Sequence, residues 1–121
     1  MGCGANDPEM IVMDEKHGQN PHSGKDCIKV DFKSCVKEGT GIYWVNSRGE
    51  GDCNWGAAPG MDFSTGGYSK LTFWAKGTTG KERIKFGIGG ITSKTKLYKD
   101  SLSLFEFVTL SKKWKKYTIR I

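Results

Sequence analysis

Residues 70–90 read KLTFWAKGTTGKERIKFGIGG, and the period of their apolar residues decides the fold. Successive side chains of an extended chain point to opposite faces. On that rule Leu71, Phe73 and Ala75 share one side, while Thr72 and Trp74 take the other. After the turn signal GTTG the period of two resumes. Ile84, Phe86 and Ile88 fall on one side, and Lys81, Arg83 and Lys85 alternate with them. Both runs are therefore expected to be strands with one face inward.

The same period runs outward in both directions. Met10 to Glu15 is a short β-branched and apolar run. In CIKVDF, Ile28, Val30 and Phe32 share one face and Lys29 and Asp31 the other. TGIYWVN, EFVTL and WKKYTIRI follow, the last with Tyr117, Ile119 and Ile121 on one face. Turn signals separate these runs: NPHSG, SRGEGD, APG, STGG and GTTG. No segment carries a long period of 3.6, so helix is expected to be minor, at most one turn near Lys99 to Phe105. The expectation is an all-β chain, a jelly-roll β-sandwich of about seven or eight antiparallel strands. It is expected to form one domain over residues 1–121 and to be truncated at its C-terminus, because the chain stops inside a strand-like pattern.

The 121 residues suit one domain with a core of its own. Seventeen glycines against three prolines fit a turn-rich globular chain rather than a disordered one. No apolar run approaches the length that spans a bilayer, so no membrane insertion is expected. No signal peptide is visible at the N-terminus. The formal net charge of +6 admits nucleic acid, acidic lipid or acidic polysaccharide as partners. The lysines are scattered along strand-like segments, however, which reads as the solvated face of a sheet. No nucleic acid is expected. Cys3, Cys27, Cys35 and Cys53 form no CxxC pair, which argues against structural zinc and leaves their pairing open.

The segments NPHSGKDCIKV, GIYWV, NWGAAPGMDFS, KLTFWAKGTTGKERIKFGIGG and VTLSKKWKKYTIRI together resemble a family of secreted β-sandwich domains. These are the carbohydrate-binding modules of the galactose-binding-like class, found beside glycoside hydrolases and in bacterial and archaeal surface proteins. The resemblance covers about residues 10 to 121. It implies a galactose-binding-like jelly roll, an extracellular or cell-surface location, a polysaccharide or oligosaccharide ligand and neighbouring domains in a larger chain. The sequence departs from the family in its long loop NSRGEGDCNWG and in lacking further strands after YTIRI.

A sugar site needs a flat aromatic surface for the apolar face of a pyranose, with polar groups beside it for the hydroxyls. Tyr43, Trp55 and Trp74 are the candidate platform, and Arg48, Asp52 and Asn54 the candidate polar partners. Against this, aromatics at strand spacing often belong to a core. Trp44, beside Ile42, is expected to be one such residue, and Trp114 is expected to pack on the sheet and open its strand.

The resemblance also implies a structural calcium between the first strand and the NPHSGK turn, although none is required for binding. Asp14 or Glu15 would supply a carboxylate, and Asn20 with carbonyls around Ser23 to Lys25 further oxygens. Ordinary turn chemistry explains the same residues, with Asn20 before Pro21 and Gly24 in a turn.

No G-x-S-x-G, H-E-x-x-H or phosphate-loop pattern is present, and Glu50 and Asp52 on one loop do not fix a glycosidase pair. The expected function is non-catalytic carbohydrate binding by a monomer. The rival is a structural or adhesion module of a surface protein without a sugar ligand. A nucleic-acid binder would need one continuous basic face.

Overall fold

The computed structural model describes residues 2–3, 11–33, 41–49 and 52–121, the first two by their backbone alone. The chain divides into two compact units, Met1–Cys53 and Asn54–Ile121. The described residues are almost wholly β, with antiparallel pairing throughout.

Among the described residues, six strands belong to the first unit: β1 (Gly2–Cys3), β2 (Ile11–His17), β3 (Cys27–Phe32), β4 (Tyr43–Trp44), β5 (Ser47–Gly49) and β6 (Asp52–Cys53). They pair as β1 with β4, β2 with β3 and β5 with β6. In the β2–β3 pair Ile11 lies opposite Phe32 and Met13 opposite Val30, so the apolar residues share a face as their period requires. On the other face Asp14 lies opposite Lys29, and Lys29 holds Asp31 at 3.0 Å. The register slips between Asp14 and His17. Asp14 builds this bulge: its Oδ1 accepts the Lys16 N–H at 3.0 Å, and its Oδ2 lies 3.5 Å from His17 Nδ1. Cys27 is a free thiol, its Sγ 3.4 Å from the His17 carbonyl, and Cys53 is disulfide-bonded. The pairing of Cys3 and Cys35 lies outside the described side chains.

The second unit holds a single 3-10 turn, η1 (Ser64–Gly66), and four strands: β7 (Lys70–Ala75), β8 (Arg83–Gly89), β9 (Ser103–Thr109) and β10 (Lys115–Arg120). The pairing is nested, β8 with β9 and β7 with β10, as in a long antiparallel ribbon folded over on itself. The fold-over is held by three rings. Phe73 of β7 lies 4.5 Å from Phe86 of β8 and 5.7 Å from Tyr117 of β10, and Phe86 and Tyr117 are 6.3 Å apart. These spacings suit offset aromatic packing. Ile119 and Leu110 are the buried apolar residues among those described, at 3% and 8% exposure.

The turn between β7 and β8 is organised by one carboxylate. Glu82 accepts the N–H groups of Thr79, Gly80 and Lys81 and the Thr79 hydroxyl. These donors favour the ionised form and hold its pKa down to about 2. Gly80 sits at φ +77° beside Lys112, where a Cβ would be strained.

Four expectations change. The helical turn is at Ser64–Gly66, not at 99–105, where Ser103 already begins β9. An Asp62 side chain that accepts the N–H and hydroxyl of Ser64 nucleates that turn instead. Ten strands are present among the described residues rather than seven or eight, four of them only two or three residues long. TGIYWVN yields only the two-residue β4. Trp44 is not core: it is 57% exposed.

Candidate functional site

Strand alternation gives the β7–β10 pair a solvent face. Trp74 stands on it between the half-buried Phe73 and Ala75 and is 45% exposed. Register puts Lys116 directly opposite Trp74, Thr118 opposite Thr72 and Arg120 opposite Lys70. Directly opposed residues of an antiparallel pair share a face. The indole therefore shares its face with Thr72, Thr118 and the directly opposed Lys116, and Lys70 and Arg120 lie farther along the same face, roughly 13 Å away. At the end of this pair Lys76 stands 5.3 Å from the Trp114 ring centroid, and Trp114, half-buried, immediately precedes β10 as expected.

The β8–β9 pair has a second such face. Ile84, Phe86 and Ile88 turn inward with Leu104 and Val108, which leaves Arg83, Lys85, Gly87, Phe105, Phe107 and Thr109 outside. Phe105 is 45% and Phe107 63% exposed. Arg83 lies over Phe107 at 4.6 Å, and Lys85 over Phe105 at 4.6 Å and Phe107 at 5.8 Å. These are cation–π distances. The Phe105 ring lies against the backbone of Gly87, where a Cβ would be only 2.0 Å from a ring carbon. Neither phenylalanine was a candidate from sequence. The alternation in SLFEFVT carries the signal, because its aromatics sit out of phase with Leu104 and Val108.

A groove of about 280 Å³ opens within the second unit, lined by Phe63, Tyr68, Lys70, Leu71, Ile88 and Ile121. Two of its lining rings, Phe63 and Tyr68, meet edge to face, 5.9 Å apart.

Asn54 is buried within its own loop. It is 3% exposed, and its side chain is used up by its own loop. Oδ1 accepts the N–H groups of Gly56, Ala57 and Ala58, each at 3.1 Å, and Nδ2 donates to the carbonyls of Ala58 and Pro59. The reason lies in the local sequence: Asn is a turn former that bonds nearby backbone, here ahead of Gly-Ala-Ala-Pro. The clamped loop is pinned to a second one, with Tyr98 N–H donating to the Gly56 carbonyl at 3.0 Å. Gly56, at φ +89°, has no room for a Cβ, which would lie 2.6 Å from the Tyr98 carbonyl. This framework carries Trp55 at 37% exposure.

In the first unit Tyr43 is 48% exposed on β4. Arg48 and Asp52 meet across the short β5–β6 pair at 3.7 Å, both exposed. Of the calcium candidates, Asp14 places both of its oxygens at the β2–β3 bulge. Asn20, at φ +53° before Pro21, serves the turn. No group of three His, Cys, Asp or Glu side chains gathers among the described residues. No helix among them is long and apolar enough to cross a membrane. Compared with known proteins, the chain matches no family model, no curated protein and no solved structure.

Proposed function

We infer that the chain is a non-catalytic carbohydrate-binding module of an exported, multidomain protein, acting as a monomer on polysaccharide. The observation that carries this reading is Trp74, half-exposed on a sheet face that it shares with Thr72, Thr118 and Lys116. A pyranose stacks its C–H face on the indole. Thr72 and Thr118 then exchange hydrogen bonds with ring hydroxyls, and Lys116, Lys70 and Arg120 donate to further oxygens. Tyr43 and Trp55 are additional contacts of the same chemical kind on their own units, and Arg48 and Asp52 offer a donor and an acceptor. A jelly roll of galactose-binding-like type is the finer fold that goes with this reading. Exposure of Trp44, Trp55 and Trp74 supports it over a purely structural or adhesion module, for which those rings are expected to be buried.

Titration with an oligosaccharide series while following tryptophan fluorescence tests it. Binding is expected to change the emission, and Trp74→Ala to weaken the affinity by about tenfold, as loss of one stacking contact of roughly 1–1.5 kcal/mol implies. Unchanged affinity in Trp74→Ala with folding intact overturns the site.

A further inference from the structure

We propose that the outer face of the β8–β9 pair is a binding site for carboxylated, that is uronate-bearing, polysaccharide. The proposal rests on the carbohydrate-binding reading above and adds to it a second site and a ligand class.

Charge decides the class. Residues 54–121 contain 13 Lys and Arg against four Asp and Glu, a net +9, while residues 1–53 contain six against nine, a net −3. The excess of cations is thus confined to the unit that bears this face. By register the face consists of Arg83, Lys85, Gly87, Gly89, Ser103, Phe105, Phe107 and Thr109, without one acidic residue. Glu106 lies opposite Phe86 on the other side, and Glu82 directs its carboxylate into the preceding turn. Neither Arg83 nor Lys85 has an ion pair among the described residues. Two cations stand two residues apart on one strand, roughly 6.6 Å along it, with no internal counter-charge.

Geometry then distinguishes among anions. One side of Phe105 rests on Gly87, and Lys85 stands over the ring at 4.6 Å. Arg83 covers Phe107 in the same way. The rings support the cations and hold them in place instead of presenting a bare π-face. Single-stranded nucleic acid is bound by stacking bases on such faces along a continuous basic track. Here a cation already stands over each ring, and the other cations, Lys70, Lys116 and Arg120, lie on the outer face of the separate β7–β10 pair. What remains is a short pair of donors. A guanidinium matches a carboxylate with two parallel hydrogen bonds, Lys85 takes a second oxygen, and the edges of Phe105 and Phe107 meet the apolar C–H groups of the sugar.

The test is affinity electrophoresis and calorimetry of the full chain with polygalacturonate, with the same polymer after carboxyl reduction, and with an oligothymidylate. The wild type is expected to bind polygalacturonate about tenfold more tightly than the reduced polymer. Arg83→Gln with Lys85→Gln keeps the side-chain stems over the rings and is expected to abolish that preference, whereas Lys112→Gln with Lys113→Gln, of equal charge loss, is expected to retain it. Binding of the reduced polymer as tight as that of polygalacturonate overturns this site and leaves the module reading standing. No binding of either polymer overturns both. An equal loss in the Lys112/Lys113 variant shows net charge alone at work, and oligothymidylate bound as tightly through Arg83 and Lys85 makes the face a nucleic-acid site. Either result overturns the proposal.

Discussion

Asn54 shows how a residue type that suits a sugar site can serve a fold instead. Its one carbonyl oxygen satisfies three consecutive backbone donors of the Trp55 loop. In Asn54→Ala those N–H groups lose their acceptor, and buried unsatisfied donors cost about 1–3 kcal/mol in all. Asn54→Asp keeps the acceptor and is expected to lie between the two in thermal denaturation. Tyr117 presents the opposite case. Its hydroxyl is buried without a hydrogen-bond partner among the described residues. Tyr117→Phe keeps the three-ring cluster and removes that cost, so it is expected to raise Tm, by about 1 kcal/mol of stability at most. A fall in Tm would mean the hydroxyl has a partner in solution.

Glu82 makes the β7–β8 turn pH-dependent, and the sign follows from its shift. Its folded pKa of about 2 lies below the ordinary 4.5. The stabilisation is therefore complete above 4.5 and is lost as pH falls from there through about 2. Glu82→Gln is expected to flatten that part of the Tm-against-pH curve, and an unaltered acid limb would remove Glu82 as the cause.

At the scale of elements, the period of two placed the longer strands well. It put Trp74 outside and Phe73 inside, and grouped Ile84, Phe86 and Ile88, because a half-buried strand imposes that alternation on its sequence. It failed where an element is too short to show a period. Trp44 occupies a two-residue strand, and in so short a run its neighbour Ile42 says nothing about which side faces inward. At Ser103–Thr109 it marked EFVTL as a strand, but Phe105 and Phe107, out of phase with Leu104 and Val108, were not read as an exposed aromatic face. Asn54 could not be assigned because the backbone donors and acceptors of its own loop are invisible in residue types.

The β8–β9 face exists because Gly87 leaves space for Phe105. A methyl at position 87 ordinarily favours a strand by about 0.5–1 kcal/mol over glycine. Here it would be only 2.0 Å from a ring carbon, and overpacking costs about 1–3 kcal/mol, so the clash prevails and Gly87→Ala is expected to destabilise. In a Phe105→Ala background the ring clash disappears while the Leu104 carbonyl still stands 2.9 Å from the added Cβ, so the same change is expected to cost less than in the wild type. A thermal double-mutant cycle reads this as strong non-additivity. Additive effects would show that Phe105 does not rest on Gly87.

At the scale of the whole chain, the opposed charges of the two units make a prediction about the second one alone. Residues 54–121 contain the three-ring cluster, Leu110, Ile119, the Asn54 clamp and both cationic faces. A unit of this size is marginal but within the range that folds alone. Expressed by itself, it is expected to unfold cooperatively on heating, since its described core contacts are internal to it. It also sheds the net −3 of residues 1–53. Removing like charge from the ligand's surroundings strengthens attraction to a polyanion at low salt, and screening erases the difference once the Debye length falls to about 3 Å near 1 M. The isolated unit is therefore expected to bind polygalacturonate at least as tightly as the full chain at low ionic strength, with a steeper decline on adding salt. Binding that disappears in the folded 54–121 unit would assign the anionic ligand to residues of the first unit instead.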